Sequence, residues 1–449
     1  MAIDAGTGSV RAVLFDLKGN QIGCSQHEWT HNEDPRFPGS MDFDWKYNWE
    51  LASGCVRNVL AETKIDPAEI AAISTTCMRE GILLYDKDGN EIWACANVDA
   101  RSNDEVAELI RMNPDLELEL YKKSGQSYAL NAIPRILWVK NNMPDIYEKT
   151  AKIGMFNDWL IYKLTGVLAV EPSNGSTTGL LDLQTRTWDT EIAAKCNLRT
   201  DIFPDILECG SISGKVTAKG ASETGLAEGT PVVVGGGDCQ LGTIGVGACK
   251  PGEAAVFGGS FWQYEFNTES GKTDPYGRVR VNCHAVPGVW QYEALAFKPG
   301  LVMRWFRDGF CQEEKRKAKE IGDDPYNLMN QAAEKIPAGC YGMMCCFSDI
   351  MNFINWKHAA PTFTNFELLP EKFNKYTFYR SILENTAMLV KGHIELVKEA
   401  TGNEPDKLIF AGGASVSDLW SQILADVTGK PVVTPVVKEA TALGAAIIA

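Results

Sequence analysis

Ile3-Asp4-Ala5-Gly6-Thr7-Gly8-Ser9-Val10, near the start of the 449-residue chain, sets a glycine turn between two apolar stretches, with an acidic residue closing the first. Ile3 to Asp4 reads as the end of a strand, Gly6 to Ser9 as the tip of a hairpin, and Val10 to Asp16 as the returning strand. A further turn, Lys18-Gly19-Asn20, precedes another extended piece through Ile22. The spacing therefore predicts an antiparallel meander, whereas a dinucleotide-binding fold would turn into a helix at this point. Main-chain N–H groups in such a tip approach an anion with no side chain in the way, and Thr7 and Ser9 add hydroxyl donors. Phosphate is the natural ligand. Asp4 beside the tip is placed to hold Mg²⁺ directly or through water, the competing reading being a tight hairpin with a capping aspartate.

The same order of strand, glycine turn and strand returns at Ala254 to Phe257, Gly258-Gly259-Ser260 and Phe261 to Tyr264. Thr230-Pro231-Val232-Val233-Val234 runs as a buried strand into Gly235-Gly236-Gly237-Asp238, and Lys407 to Ala411 followed by Gly412-Gly413 reads as a repeat of that junction. Two α/β halves of one design are implied, residues 1–245 and 246–449. Helices are expected over Arg135 to Asn141, Asp158 to Leu164, Ile382 to Val397 and Asp418 to Val427, with stops at Gly166, Gly402 and Gly429.

Asp238 follows three glycines at a strand end, which puts a carboxylate on an open, backbone-lined surface near the boundary between the halves. An aligned carboxylate there can take the proton of a hydroxyl that attacks phosphorus, while a helix-capping role is the plain alternative. Arg79-Glu80 and Asp99 with Arg101 are opposite-charge pairs suited to a polyhydroxylated ligand, or to a surface ion pair. Gly412-Gly413, ahead of the Asp418 helix, is an adenosine-site candidate or a close strand-to-helix contact.

The 43 Lys and Arg against 58 Asp and Glu leave a charge of −15, which repels nucleic acid and anionic membranes. The basic run Lys315-Arg316-Lys317 sits among Glu313, Glu314 and Glu320 and reads as a solvated helix face. Thirteen cysteines without a C-x-x-C pair read as reduced thiols, and no stretch approaches ~20 uninterrupted apolar residues, so a cytoplasmic location is expected. There is no G-x-S-x-G elbow and no Walker A sequence, and His27, His31, His284, His358 and His393 lack metal-ligand spacing.

Asp4 to Ser9, Met78-Arg79-Glu80-Gly81, Gly235 to Asp238 and Phe410-Ala411-Gly412-Gly413 occur in the order found in FGGY carbohydrate kinases, which the chain resembles over nearly its whole length. The resemblance implies two ribonuclease-H-like domains of the sugar kinase, Hsp70 and actin superfamily, closing over ATP and a small sugar-like substrate. It implies Asp238 as base, Asp4 and Asp238 as the Mg²⁺ carboxylates, and Arg79, Glu80, Asp238 and Gln240 as substrate contacts. Gly6, Thr7, Gly8, Ser9 and Arg11 with Gly258, Gly259 and Ser260 would clamp the nucleotide phosphates, and Gly412 and Gly413 would carry the adenosine. Trp93 to Arg101, Arg304 to Asp308, Trp420 to Asp426 and Lys438 to Gly444 are similar to a subgroup that phosphorylates the terminal hydroxyl of 4,5-dihydroxypentane-2,3-dione. Kinases of xylulose, glycerol or another polyol are the alternative, and a non-catalytic ATP-binding sensor or chaperone of the superfamily is the other class. The sequence stops at Ile447-Ile448-Ala449 in what resembles a helix that family members continue, so a closing C-terminal segment is expected to be missing. Homodimerisation is left open, and no regulatory protein partner is identified.

Overall fold

A computed structural model describes residues 1–347, 360–437 and 439–449; His358 and Lys438 lie outside the described residues. Two six-stranded mixed sheets organise the chain. In the first, Ala2–Ala5 pairs antiparallel with Ser9–Phe15, which pairs antiparallel with Gln21–Glu28, confirming the meander. On its other side Ala2–Ala5 runs parallel to Ile73–Cys77, which runs parallel to Pro231–Gly237. The second sheet repeats this order. Ala254–Gly258 pairs antiparallel with Trp262–Thr268, and that strand with Trp290–Ala296. Ala254–Gly258 is then parallel to Leu408–Ala411, and Leu408–Ala411 to Val432–Val433.

The register corrects one equivalence. Leu408–Ala411 lies directly beside the first strand of its sheet, the place that Ile73–Cys77 holds in the other. Gly412-Gly413 is therefore the counterpart of the Met78-Arg79 turn, and the counterpart of Pro231–Gly237 is Val432–Val433.

Helices cover the sheets as their apolar spacing dictates. Trp45–Thr63, not anticipated from sequence, is capped by the Asp44 side chain accepting from the Tyr47 N–H and buries Trp49, Ala52, Val56, Val59 and Leu60 on one face. Lys375–Thr401 begins at Asn374, whose side chain accepts from the Tyr376 N–H, and ends at Gly402 with φ 77°. It buries Ile382, Leu383, Val390, Ile394 and Val397 in the second core. Asp418–Thr428 starts at Ser417, which caps Trp420 N–H, and stops at Gly429, as the sequence indicated. The basic run lies on the helix Gln312–Ile321, where Arg316 pairs with Glu320 at 2.6 Å on the exposed face.

The helix Ala440–Ile448 packs against the first sheet and against the helix Asp238–Gly245. Ala442 and Ala445 there share a core with Ala2, Val13, Leu241 and Ile244. This crossing requires glycine on both sides. A Cβ on Gly245 would lie 1.9 Å from the Ala440 carbonyl oxygen, and one on Gly444 would lie 1.8 Å from that of Leu241. Among the described residues no helix is long and apolar enough to cross a membrane.

Candidate active site

The strands Ala2–Ala5 and Pro231–Gly237 both run parallel to Ile73–Cys77, so their last residues open at the same edge of the sheet. Asp4 sits at one of these ends and Asp238 just beyond the other. Pro231–Gly237 extends through all three glycines, because the neighbouring backbone leaves no room for a side chain: a Cβ on Gly235 would lie 1.7 Å from the Thr75 carbonyl oxygen. Asp238 then starts the helix Asp238–Gly245, its Oδ1 accepting from the Cys239 N–H at 2.8 Å. Its side chain is still 37% exposed, so solvent reaches the carboxylate.

Arg79 is 5% exposed and lies with Nε 3.4 Å from Asp238 Oδ1. Its Nη2 is 3.1 Å from Cys239 Sγ and donates to Glu293 Oε1 at 3.1 Å, while Nη1 donates to Glu293 Oε2. Burial raises the proton affinity of Asp238, and the Arg79 guanidinium opposes that effect. Glu80 adopts φ 66°, a left-handed conformation unusual for a side-chain-bearing residue, and Arg135 Nη1 donates to its carbonyl oxygen. Its carboxylate lies 2.6 Å from Arg280 Nη2. Gln240 is wholly buried and donates to Gln291 at 2.9 Å. Arg101 pairs with both Asp99 and Asp42 and stacks over Trp93 and Trp138.

Around the first hairpin, Trp29 Nε1 donates to the Gly6 carbonyl at 3.0 Å, His31 Nε2 to the Thr7 carbonyl at 2.7 Å, and Asn97 Nδ2 to Thr7 Oγ1 at 2.9 Å. Gly8 has open space where a side chain would project. Arg11 Nε lies 3.3 Å from Asp4 Oδ2, and its Nη1 donates to Glu439 at 2.5 Å. Burial pushes the Asp4 carboxyl up to about 7 against the pull of Arg11, with Asp238 and Glu439 adding to the rise. Two carboxylates close enough for Asp238 to raise the proton affinity of Asp4 suit a hard divalent cation, so the pair fits a metal site.

In the second half Gly258, Gly259, Ser260 and Gly413 line one cavity of about 380 Å³. The close approach is real: with φ 88°, Gly412 sets its Cα so that a Cβ would lie 2.8 Å from the Gly258 carbonyl oxygen. Arg304, Tyr326, Asn327 and Asn330 complete this wall and were not singled out from sequence, although Arg304 and Asp308 had marked the segment.

Sequence reasoning also missed Glu293, Arg280 and Cys239. One signal was available: Gln263-Tyr264-Glu265 and Gln291-Tyr292-Glu293 each set a glutamate in an apolar strand, and the two glutamates are cross-strand partners. Cys239 Sγ and the Glu265 and Glu293 carboxylates lie within 4.8 Å of one another. Arg79 already places guanidinium N–H groups on Glu293 and against Cys239, so this cluster is filled by a cation of the protein itself.

The sequence model of the FGGY family of carbohydrate kinases, N-terminal domain, matches residues 1–245, and that of its C-terminal domain matches residues 267–449. The chain belongs to the FGGY family of carbohydrate kinases. This FGGY kinase is 51% identical over 450 aligned residues to an autoinducer-2 kinase of Yersinia enterocolitica, and equally to one of Yersinia pestis, matching all of this chain and 85% of either relative. Its fold is that of xylulose kinase from Rhodospirillum rubrum (TM-score 0.87, 23% identity, 99% of this chain and 88% of that one). Glycerol kinase from Plasmodium falciparum with ADP superposes as well (TM-score 0.86, 21% identity, 100% and 88%). The protein is thus a two-domain α/β ATP-dependent carbohydrate kinase.

Proposed function

We propose that this FGGY kinase transfers the γ-phosphoryl group of ATP to the terminal hydroxyl of autoinducer-2 in its linear form, 4,5-dihydroxypentane-2,3-dione, in the cytoplasm. The observation that carries the acceptor assignment is the 51% identity to autoinducer-2 kinases across the whole chain. The site geometry supports the chemistry. Asp238 is the carboxylate left open to solvent at the strand end, and a raised proton affinity makes it a better acceptor for the hydroxyl proton as the new P–O bond forms. Arg79 beside it orients that carboxylate and, with Glu80, reads the carbonyl and hydroxyl groups of the small acceptor.

ATP is held between the two halves. Its adenosine occupies the cavity lined by Gly413, Tyr326 and Asn327, and its phosphates meet the N–H groups of Gly258 to Ser260 and of the Gly6 to Ser9 tip. Asp4 and Asp238 would hold Mg²⁺, which when bound neutralises phosphate oxygens that the acidic chain otherwise repels. Approach of the halves excludes water, the competing acceptor.

A coupled ADP-release assay with the dione, D-xylulose and glycerol tests the assignment. The dione should show a kcat/KM at least about tenfold above either polyol, a margin of roughly 1.4 kcal/mol. Preference for xylulose or glycerol would overturn it.

A further inference from the structure

The buried charges behind Asp238 form a single alternating series: Asp238, Arg79, Glu293, Arg280, Glu80. The successive approaches are 3.4 Å from Asp238 to Arg79, a two-pronged contact from Arg79 to Glu293, 3.4 Å from Glu293 to Arg280, and 2.6 Å from Arg280 to Glu80. Its members come from both halves. Asp238, Arg79 and Glu80 belong to the turns that follow strands of the first sheet, whereas Glu293 and Arg280 stand on paired strands of the second, directly opposite each other. Resting on the reading of Arg79 and Glu80 as the acceptor-reading pair, we infer that Glu293 and Arg280 are positioning residues that set these two side chains for the phosphoryl acceptor.

The physical reason is competition for Arg79. With Glu293 in place, both terminal nitrogens of the guanidinium are engaged on the side of the second sheet, and only Nε is turned to Asp238. Without the Glu293 carboxylate the ion pair that remains to Arg79 is the one with Asp238, and the guanidinium would turn further onto the base. Arg280 does the same for Glu80. It is anchored by Nε donating to Gln126 at 2.9 Å and lies between Glu293 and Glu80, so the Glu80 carboxylate is held against it rather than against Arg79. Asn282 Nδ2 supports Glu293 at 3.2 Å. The neighbouring carboxyl, Glu265, has no hydrogen-bond partner for either oxygen, and burial lifts its proton affinity well above the ordinary range. Glu293 is held low by the two guanidiniums in spite of its burial, so the two glutamates divide one charge between them and the series keeps three carboxylates against two guanidiniums. A network that served only to join the halves would gain little from charge over apolar packing of the same volume. This one ends on the single member that is open to solvent.

The test measures acceptor kcat/KM by ADP release and the Kd of a nonhydrolysable ATP analogue by calorimetry. Glu293→Gln should lower acceptor kcat/KM by about thirtyfold or more while the nucleotide Kd stays within about twofold, since the lost contact lies on the acceptor side. Glu293→Asp, which restores the charge on a shorter arm, should recover part of the loss and settle about fivefold below wild type. Arg280→Lys keeps its charge but cannot fork to two carboxylates, and should raise the acceptor KM about fivefold or more. In an Arg79→Ala background the Glu293→Gln change should add less than about threefold, because its effect runs through Arg79. If Glu293→Gln does not fold, the aspartate and lysine variants decide the matter. Proportional losses in nucleotide Kd and acceptor kcat/KM would show a structural role, and unchanged acceptor kcat/KM in both milder variants would overturn the inference outright. The assay also separates this inference from the acceptor assignment. A wild type that prefers xylulose or glycerol removes the dione, and the same ratios are then read with the preferred acceptor; a wild type that binds ATP and uses no acceptor overturns both.

Discussion

Arg11 donates to Glu439 at 2.5 Å across 428 residues of sequence, with Asp4 3.3 Å from its Nε. The first glycine hairpin is thereby tied to the start of the helix Ala440–Ile448, and Thr441 on that helix reaches the Asp238 carbonyl oxygen at 3.4 Å. The candidate metal carboxylate, the candidate base and the last helix form one connected corner.

Asp238→Asn keeps the size and polarity of the side chain and removes the proton acceptor. Turnover should fall about 10²–10⁴-fold with nucleotide affinity largely kept. Steady-state kinetics beside ATP-analogue calorimetry check this, and turnover near that of the wild type removes Asp238 from the mechanism.

Asp4→Ala should weaken metal-dependent use of ATP, since the remaining carboxylate must hold the cation alone. The Mg²⁺ concentration giving half-maximal rate should rise by about tenfold, roughly 1.4 kcal/mol of lost binding. A magnesium titration that coincides with that of the wild type excludes Asp4 from the site.

Gly444→Ala places a methyl group where the Leu241 carbonyl oxygen stands, at 1.8 Å, so the two helices must separate. The expected cost is about 1–3 kcal/mol or more, seen as a lower urea midpoint. Because Leu241 lies on the helix that Asp238 begins, turnover should fall along with stability. A variant of unchanged midpoint contradicts the close crossing.

His393, on the buried face of the helix Lys375–Thr401, has Nε2 unpartnered, and burial holds its pKa down at about 4, against 6.5 when exposed. Between these values the unfolded chain binds a proton that the native protein refuses, so stability falls as pH drops from 6.5 to 4 and is complete above 6.5. The loss from this one group is about 3 kcal/mol. His393→Leu should remove it. Urea midpoints at pH 7, 6 and 5 should fall less steeply for the variant than for the wild type, and parallel curves would show that His393 is protonated in the native state.

What could be read from sequence was local. The hairpin Asp4 to Ser9 and its counterpart at Gly258 to Ser260 announced themselves because a glycine tip between apolar strands is a short-range pattern, and both strand pairs have the anticipated direction. Gly166, Gly402 and Gly429 stop their helices in left-handed conformations for the same reason. Pro231–Gly237 was legible only as far as Val234, since glycine is a poor strand former and the close approach of Thr75 that demands it comes from a distant strand. Leu408–Ala411 was matched to the wrong counterpart because its glycine pair looks alike in sequence, and only the parallel register beside Ala254–Gly258 settles its place. In the site, Arg79 and Glu80 were visible as a charged pair, yet their partners lie some 200 residues away on two paired strands, one of which hides Glu293 in an apolar pattern.

The helix Ala440–Ile448 has a consequence for biosynthesis. It buries part of the sheet that contains Ala2–Ala5, so Ala2 is covered by residues translated long after it. A ribosome delivers the strands holding Ala2 and Val13 and the helix holding Leu241 before their partners Ala442 and Ala445 exist, and that apolar face lacks its cover while the intervening residues are translated. That small core is therefore completed only when residues 440–448 have been made, and until then the nascent chain carries an uncovered apolar face of the kind that chaperones bind.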